Sequence, residues 1–297
     1  ASESDDPDKF DKTLHAWEKA PWREHLKALS FAKEGTMRGA LLAKLGLPCE
    51  SWEALDQASE EEKMSPLHYF MKGYALFLMG EEKKSRLEIE KASRRSEAIR
   101  RSNHPLALYS FSRFAEAYHR ANSLETLSHS LVQAMVLLKI GKHEEGEQAL
   151  QRVSFEYPFL PGPWLLMARC YSLHDYPQKG REALERLDSL KGTLAFPPFL
   201  VCSHIDAGYR FALIDSAGRE KMTERVLSWA DGLLQREIEK EVRFRVLLLQ
   251  GECLLLKKES ERACKIAREL FENRQDDLAV GYLLVKCLLA RGAHDDA

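Results

Sequence analysis

One structural unit is written twice with the same spacing between Leu127 and Leu190, and a chain built that way must find its core by stacking neighbours. With Gly141 taken as the turn between two helices, SHSLVQAMVLLKIGKHEEGEQALQRVSFEYP puts Ala134, Leu137, Gly146, Leu150, Val153 and Pro158 at its key positions. The same chemistry returns 34 residues on (134 to 168, 137 to 171, 146 to 180, 150 to 184), at Ala168, Tyr171, Gly180 and Leu184. The small residues let two short antiparallel helices approach, and the leucines fill the space between pairs. Pro158 ends the second helix, because it lacks an N–H and clashes with the preceding turn. A single pair cannot bury its own apolar face, so the repeat predicts an array of pairs.

A period near 34 with a small residue midway along the first helix, a bulky one three later and a small one early in the second resembles the tetratricopeptide family. Trp164 stands where that family's helix-opening aromatic belongs. The resemblance implies an all-α chain, a right-handed α-α superhelix (solenoid) of such helix pairs, used to bind another protein. The unit also recurs at Ser65–Ala92: Tyr69, Gly73 and Leu76 take the aromatic, small and bulky positions, Gly80 marks the turn, and Ser85, Ile89 and Ala92 line the second helix. It returns at Gly251, Leu254, Ala263, Ala267 and Leu270, with Val285, Leu288 and Gly292 in the next unit. One more step from Ala263 lands on Ala297. The expectation there is a piece of a longer protein, or a last helix from Leu278 to Arg291 whose apolar outer face something covers.

The first 62 residues read as helical but unperiodic, extra amino-terminal helices that form a cap or small subdomain ahead of an array over 63–297. Asp6 before Pro7 is a helix start, and Phe10, Leu14 and Trp17 make an apolar stripe. Trp22, Leu26, Leu29 and Ala32 form the next, a third helix runs from about Met37 to Leu45, and Ser51 caps a short helix with Trp52 and Leu55. Two stretches break the array. Near 103–122 the reading is one amphipathic helix from Pro105 to Ala121; near 193–242 it is a lengthened pair, 198–215 and 221–239, turning at 216–218.

Composition excludes several functions. With 44 basic and 46 acidic residues the chain has no excess charge for nucleic acid, and aliphatic groove positions do not track phosphates. No run approaches the roughly 18 apolar residues of a membrane helix; LAVGYLLVKCLLARG is interrupted by Lys286, and ASESDDPDKF lacks a signal peptide's apolar core. A trimmed precursor stays open. The six cysteines form no CxxC pair and read as small buried hydrophobes of a cytoplasmic protein. Cys170 and His174, four apart on a helix, read as core packing beside a loop histidine, since a zinc site needs about four ligands. Arg94, Arg95, Arg100 and Arg101 read as a solvated helix face. No phosphate loop, HExxH or GxSxG motif occurs, and the histidines, His104 and His129 among them, look scattered. No enzyme, metal or cofactor is expected.

The expected function is therefore a non-catalytic protein-interaction scaffold, with a structural subunit of a larger complex, or a helical carrier of an apolar small molecule or lipid, as alternatives. The groove positions on the first helices are Phe70, Tyr74 and Phe77, then Leu131, Met135 and Leu138, then Leu165 and Arg169, then Leu248 and Glu252. Family members that clamp a carboxylate use lysine, arginine and asparagine at such positions. Apolar residues here predict a partner's amphipathic helix instead. The competing possibility is that the protein's own extra helices, such as 105–121, already fill the groove.

Overall fold

The computed structural model describes residues 6–32, 35–122, 126–173, 176–191 and 196–291. His174, Thr193, Gly292 and Ala297, invoked above, lie outside them. The described residues are all-helical, nineteen helices without a strand, mostly paired with sequence neighbours. They gather into two compact units, 1–167 and 168–297. No described helix is long and apolar enough to cross a membrane.

In the first unit, α1 (Pro7–Lys19) starts as its sequence demands: the Asp6 carboxylate accepts from the amides of Asp8 at 2.9 Å and Lys9 at 3.4 Å. Then come α2 (Trp22–Phe31), α3 (Thr36–Lys44), α4 (Pro48–Asp56) and the single turn α5 (Glu60–Lys63). Contrary to the expected cap at Ser51, α4 begins at Pro48. Ser51 lies inside it, fully buried, and its hydroxyl donates to the Gly39 carbonyl at 2.8 Å, tying α4 to α3.

The first periodic pair is α6 (Pro66–Leu78) with α7 (Glu82–Ser93). Gly73 holds them close: a Cβ there would come within 2.6 Å of Ile89 Cγ1. A short α8 (Glu97–Arg100) leads to α9 (Pro105–Ser110) and α10 (Phe114–Ala121), where the sequence predicted one helix. Ser112 breaks it. Its φ of 62° is left-handed, and the amides of Ser112 and Arg113 close back on the carbonyls of Tyr109 and Leu108 at 3.0 and 2.9 Å. This is the Schellman closure. Gly80 and Gly141, at φ 79° and 81°, make the same turn for α6–α7 and for α11 (Leu127–Lys139) with α12 (His143–Glu156). One backbone device thus closes all three hairpins, and serine hides it in the middle one. Helix α13 (Pro161–Leu173) spans the boundary between the units.

The second unit continues with α14 (Pro177–Lys191), α15 (Pro198–Ile214), α16 (Arg219–Leu234), α17 (Lys240–Leu256), α18 (Ser260–Asn273) and α19 (Leu278–Ala290). The lengthened pair is α15–α16, which turns through a bond from the Gly218 amide to the Asp215 carboxylate at 2.9 Å. Helices α17, α18 and α19 share a core of Leu254, Ala263, Ala267, Leu270, Val280 and Leu283. A Cβ on Gly251 would stand 2.8 Å from Leu283, so the predicted small position serves contact with the next unit's first helix.

Candidate functional site

The sequence-predicted groove divides between the units. Of its first-unit members, Phe70, Tyr74, Phe77, Leu131, Met135 and Leu165 are buried and Leu138 is half-buried. The cover over α6 is α1 together with the segment entering α9. Phe10 of α1 meets Phe70 edge-on at 5.4 Å between ring centres, Trp17 meets Tyr74 at 5.9 Å, and Tyr109 of α9 lies 5.6 Å from Phe77. An amphipathic helix thus lies against the predicted face. It is the chain's own.

Amphipathicity alone does not explain how α1 is held, because its stripe of Phe10 and Leu14 runs on, four residues later, to a carboxylate. Glu18 is 2% exposed. It accepts hydrogen bonds from the Ser128 hydroxyl and, at 3.3 Å, from the Tyr74 hydroxyl. His104 Nε2 stands 3.2 Å from its Oε1, and His129 Nδ1 3.4 Å from its Oε2. The Lys44 ammonium donates to the Glu18 carbonyl. At the far end of α1, Asp11 accepts from the Ser102 hydroxyl and, at 2.7 Å, from the Asn103 amide.

Local sequence explains how the histidines come to converge. Pro105 fixes the first turn of α9 and leaves His104 in extended backbone as its cap, with Nδ1 accepting from the Leu106 amide at 3.3 Å. Nε2 is thereby aimed inward. His129 sits in the first turn of α11, its Nδ1 2.7 Å from Thr126 Oγ1 and 3.2 Å from Ser128 Oγ. The two imidazoles stack edge-to-face at 5.5 Å.

Burial works to raise the Glu18 pKa, but the charge and proximity of His104, then of His129, and the Ser128 bond outweigh it and hold the group at about 2. Burial is also the main influence on His129, pushing it down to about 4 against the pull of Glu18, so its imidazole is neutral at neutral pH. Tyr74 is driven well above its ordinary value by burial and by Glu18, so it acts as a hydroxyl donor. The cluster is therefore a buried carboxylate ringed by donors and two imidazole nitrogens.

The second-unit members are placed differently. Arg169 and Leu248 are half-buried. Glu252, also half-buried, accepts from Lys286 at 3.0 and 3.1 Å and from the Tyr209 hydroxyl at 3.1 Å. On α19, Leu278, Tyr282, Val285 and Leu289 form an exposed apolar row, while Leu283 and Leu288 of the same helix are buried. In the arginine run of the first unit, Glu97 pairs with both Arg100 and Arg101, and Arg95 lies over the Tyr69 ring at 4.3 Å.

Sequence reasoning missed the Glu18 cluster, whose members lie as far apart as Glu18 and His129, 111 residues in the chain (129 − 18). One signal was available: a glutamate four residues past Leu14 continues the buried stripe. No protein-family model matches the chain, and no curated protein matches it.

Proposed function

We propose that this chain is a non-catalytic, tetratricopeptide-like scaffold, its pairs stacked in a right-handed superhelix, that binds an amphipathic helix of another intracellular protein along the first helices. The observation that carries this reading is α1 itself. It lies on Phe70 and Tyr74 through Phe10 and Trp17, as a helix-in-groove ligand lies on its receptor. In this reading α1 occupies the groove in cis and also displays the ligand's chemistry: an aromatic residue, a leucine four on, a tryptophan three further and then a carboxylate.

The test is competition. A labelled peptide of residues 6–20 is titrated by fluorescence anisotropy against the full chain and against the full chain carrying Phe10→Ala and Trp17→Ala. The proposal expects at least about tenfold tighter binding to the variant, where removing two half-buried aromatic anchors frees the groove. Absence of binding to either protein, with the variant's helicity intact, sinks it.

The exposed row on α19 favours the structural-subunit reading as the second. It lies one 34-residue step beyond Phe244, Leu248, Gly251 and Leu255 (244 to 278, 248 to 282, 251 to 285, 255 to 289). Those three apolar side chains pack against the core that α18 and α19 share, and Gly251 faces Leu283. By the logic of the repeat, another helix belongs on the α19 row. A carrier role gains no support from the surface depressions, whose linings include Arg152 and Glu156 in one and Arg181, Glu182 and Lys221 in another.

A further inference from the structure

We propose that Glu18, His104 and His129 form a Zn²⁺ site that fastens α1 to the starts of α9 and α11. One ligand atom from each residue lies within 4.8 Å of the other two, and all three residues are buried. The two imidazole nitrogens approach different oxygens of the Glu18 carboxylate, His104 Nε2 standing 3.2 Å from Oε1 and His129 Nδ1 3.4 Å from Oε2, near the roughly 3.3 Å that separates neighbouring ligands of a zinc with bonds of about 2.0–2.1 Å.

A second observation separates this cluster from a simple network of hydrogen bonds. Glu18 Oε2 and His104 Nε2 are buried and make no hydrogen bond of good geometry, although Oε2 stands 3.4 Å from His129 Nδ1 and Nε2 3.2 Å from Glu18 Oε1. The groups are near but do not point at one another. Ligands of one ion are arranged that way, since each lone pair aims at the ion and not along the edge. Two imidazoles and one carboxylate are the nitrogen and oxygen ligands zinc takes and would fill three of its four positions, with water in the fourth, and the buried Ser128 and Tyr74 hydroxyls stand beside the carboxylate to orient it.

Binding requires two local changes. Ligation takes the lone pair of His104 Nε2 and leaves the proton on Nδ1, so the long bond from the Leu106 amide must open. Thr126 Oγ1, now 2.7 Å from His129 Nδ1, must give up that nitrogen. The Leu106 amide is therefore a built-in reporter. Because the three ligands come from α1, α9 and α11, the ion adds a cross-link between helices distant in sequence, and the site assembles only when α1 is docked. The inference stands independently of any partner.

The full chain is refolded with one equivalent of Zn²⁺, or of Co²⁺ as a spectroscopic probe, and compared with the metal-free chain. The expected results are one bound ion per chain, a higher Tm, a visible Co²⁺ spectrum of tetrahedral nitrogen and oxygen ligation, and an NMR shift at the Leu106 amide. His104→Asn, which keeps a capping side chain but removes Nε2, and His129→Gln should bind Zn²⁺ at least about 100-fold more weakly, beyond what loss of an orienting partner does. Failure of the wild-type chain to retain either ion overturns the proposal. So do thiolate-to-Co²⁺ charge-transfer bands or an unmoved Leu106 amide, both readable on the wild type whether or not a variant folds.

Discussion

The two compact units answer the same problem, a carboxylate beside a tyrosine on the first-helix face, in opposite ways. In the first unit the carboxylate is Glu18, brought in by a helix outside the repeats, sealed from water and met by Tyr74, Ser128 and two histidines. In the second it is Glu252, part of a repeat, half-buried and met by Tyr209 and by Lys286 one repeat further on. A sealed carboxylate with no lysine or arginine at its oxygens is stable only while every donor around it stays in place. A half-exposed pair can lose a member to water at little cost. The contrast teaches that displacing α1 from the first unit's face has to break a sealed network, whereas the second unit's pair rearranges at little cost.

Four perturbations break or sharpen this contrast. The largest is expected from Tyr74→Glu, which sets a second carboxylate against Glu18 in a sealed site. It should destabilise the first unit by more than about 4 kcal/mol, lowering its Tm by roughly 10 °C or more, whereas Leu248→Glu on the half-buried second-unit face should cost about 1 kcal/mol. Calorimetry of the two variants decides it, and equal shifts would erase the distinction between the faces. Next in size is Glu18→Ala, which leaves Ser128 and Tyr74 buried without their acceptor and should cost about 3 kcal/mol, against at most about 1 for Glu252→Ala; urea midpoints compare them.

The third concerns acid and falls on the second unit. His204 of α15 is fully buried against the Trp229 ring, 4.3 Å between centres, with both ring nitrogens lacking a hydrogen-bond partner. Burial lowers its pKa to about 3. The unfolded chain, with a histidine near 6.5, therefore takes up the proton first as pH falls. The neutral imidazole's contribution is complete above about pH 6.5 and is lost progressively between 6.5 and 3, by roughly 2 kcal/mol at pH 5. His204→Leu should flatten that part of the stability–pH curve; an unchanged slope would show that other groups set it. The smallest effect is expected from Ser112→Gly, which relieves a left-handed serine and should stabilise the first unit by about 0.5–1 kcal/mol. Lys258→Gly, at φ 63° between α17 and α18, should do the same for the second, and thermal melts would register both.

How much of this was legible in the sequence depended on whether a feature is local or convergent. The pairs α6–α7, α11–α12 and α17–α18 could be read because each carries a small residue midway along its first helix, Gly73, Ala134 and Gly251, with a leucine three further on at Leu76, Leu137 and Leu254. The break between α9 and α10 could not, because its left-handed turn is made by Ser112 where its counterparts use Gly80 and Gly141. The apolar face of Phe70, Tyr74 and Phe77 was legible as a face. Its occupant was not, since α1 carries no repeat to tie it there. The Glu18 cluster was the least legible. Each member looks ordinary in its own helix, and only the fold brings an amphipathic helix's glutamate, a cap histidine and a first-turn histidine to one point.

The central claim is that α1 is docked on the first unit's repeat face and held there through Glu18. Native-state hydrogen exchange on the full chain reads this directly at the α1 amides from Leu14 to Glu18. The account predicts protection of these amides comparable to that of α6 in the same unit, and its collapse in Glu18→Ala while α17 and α18 are unchanged. Amides of α1 that exchange at the rate of an unstructured peptide in the wild-type chain, beside a fully protected α6, would contradict it.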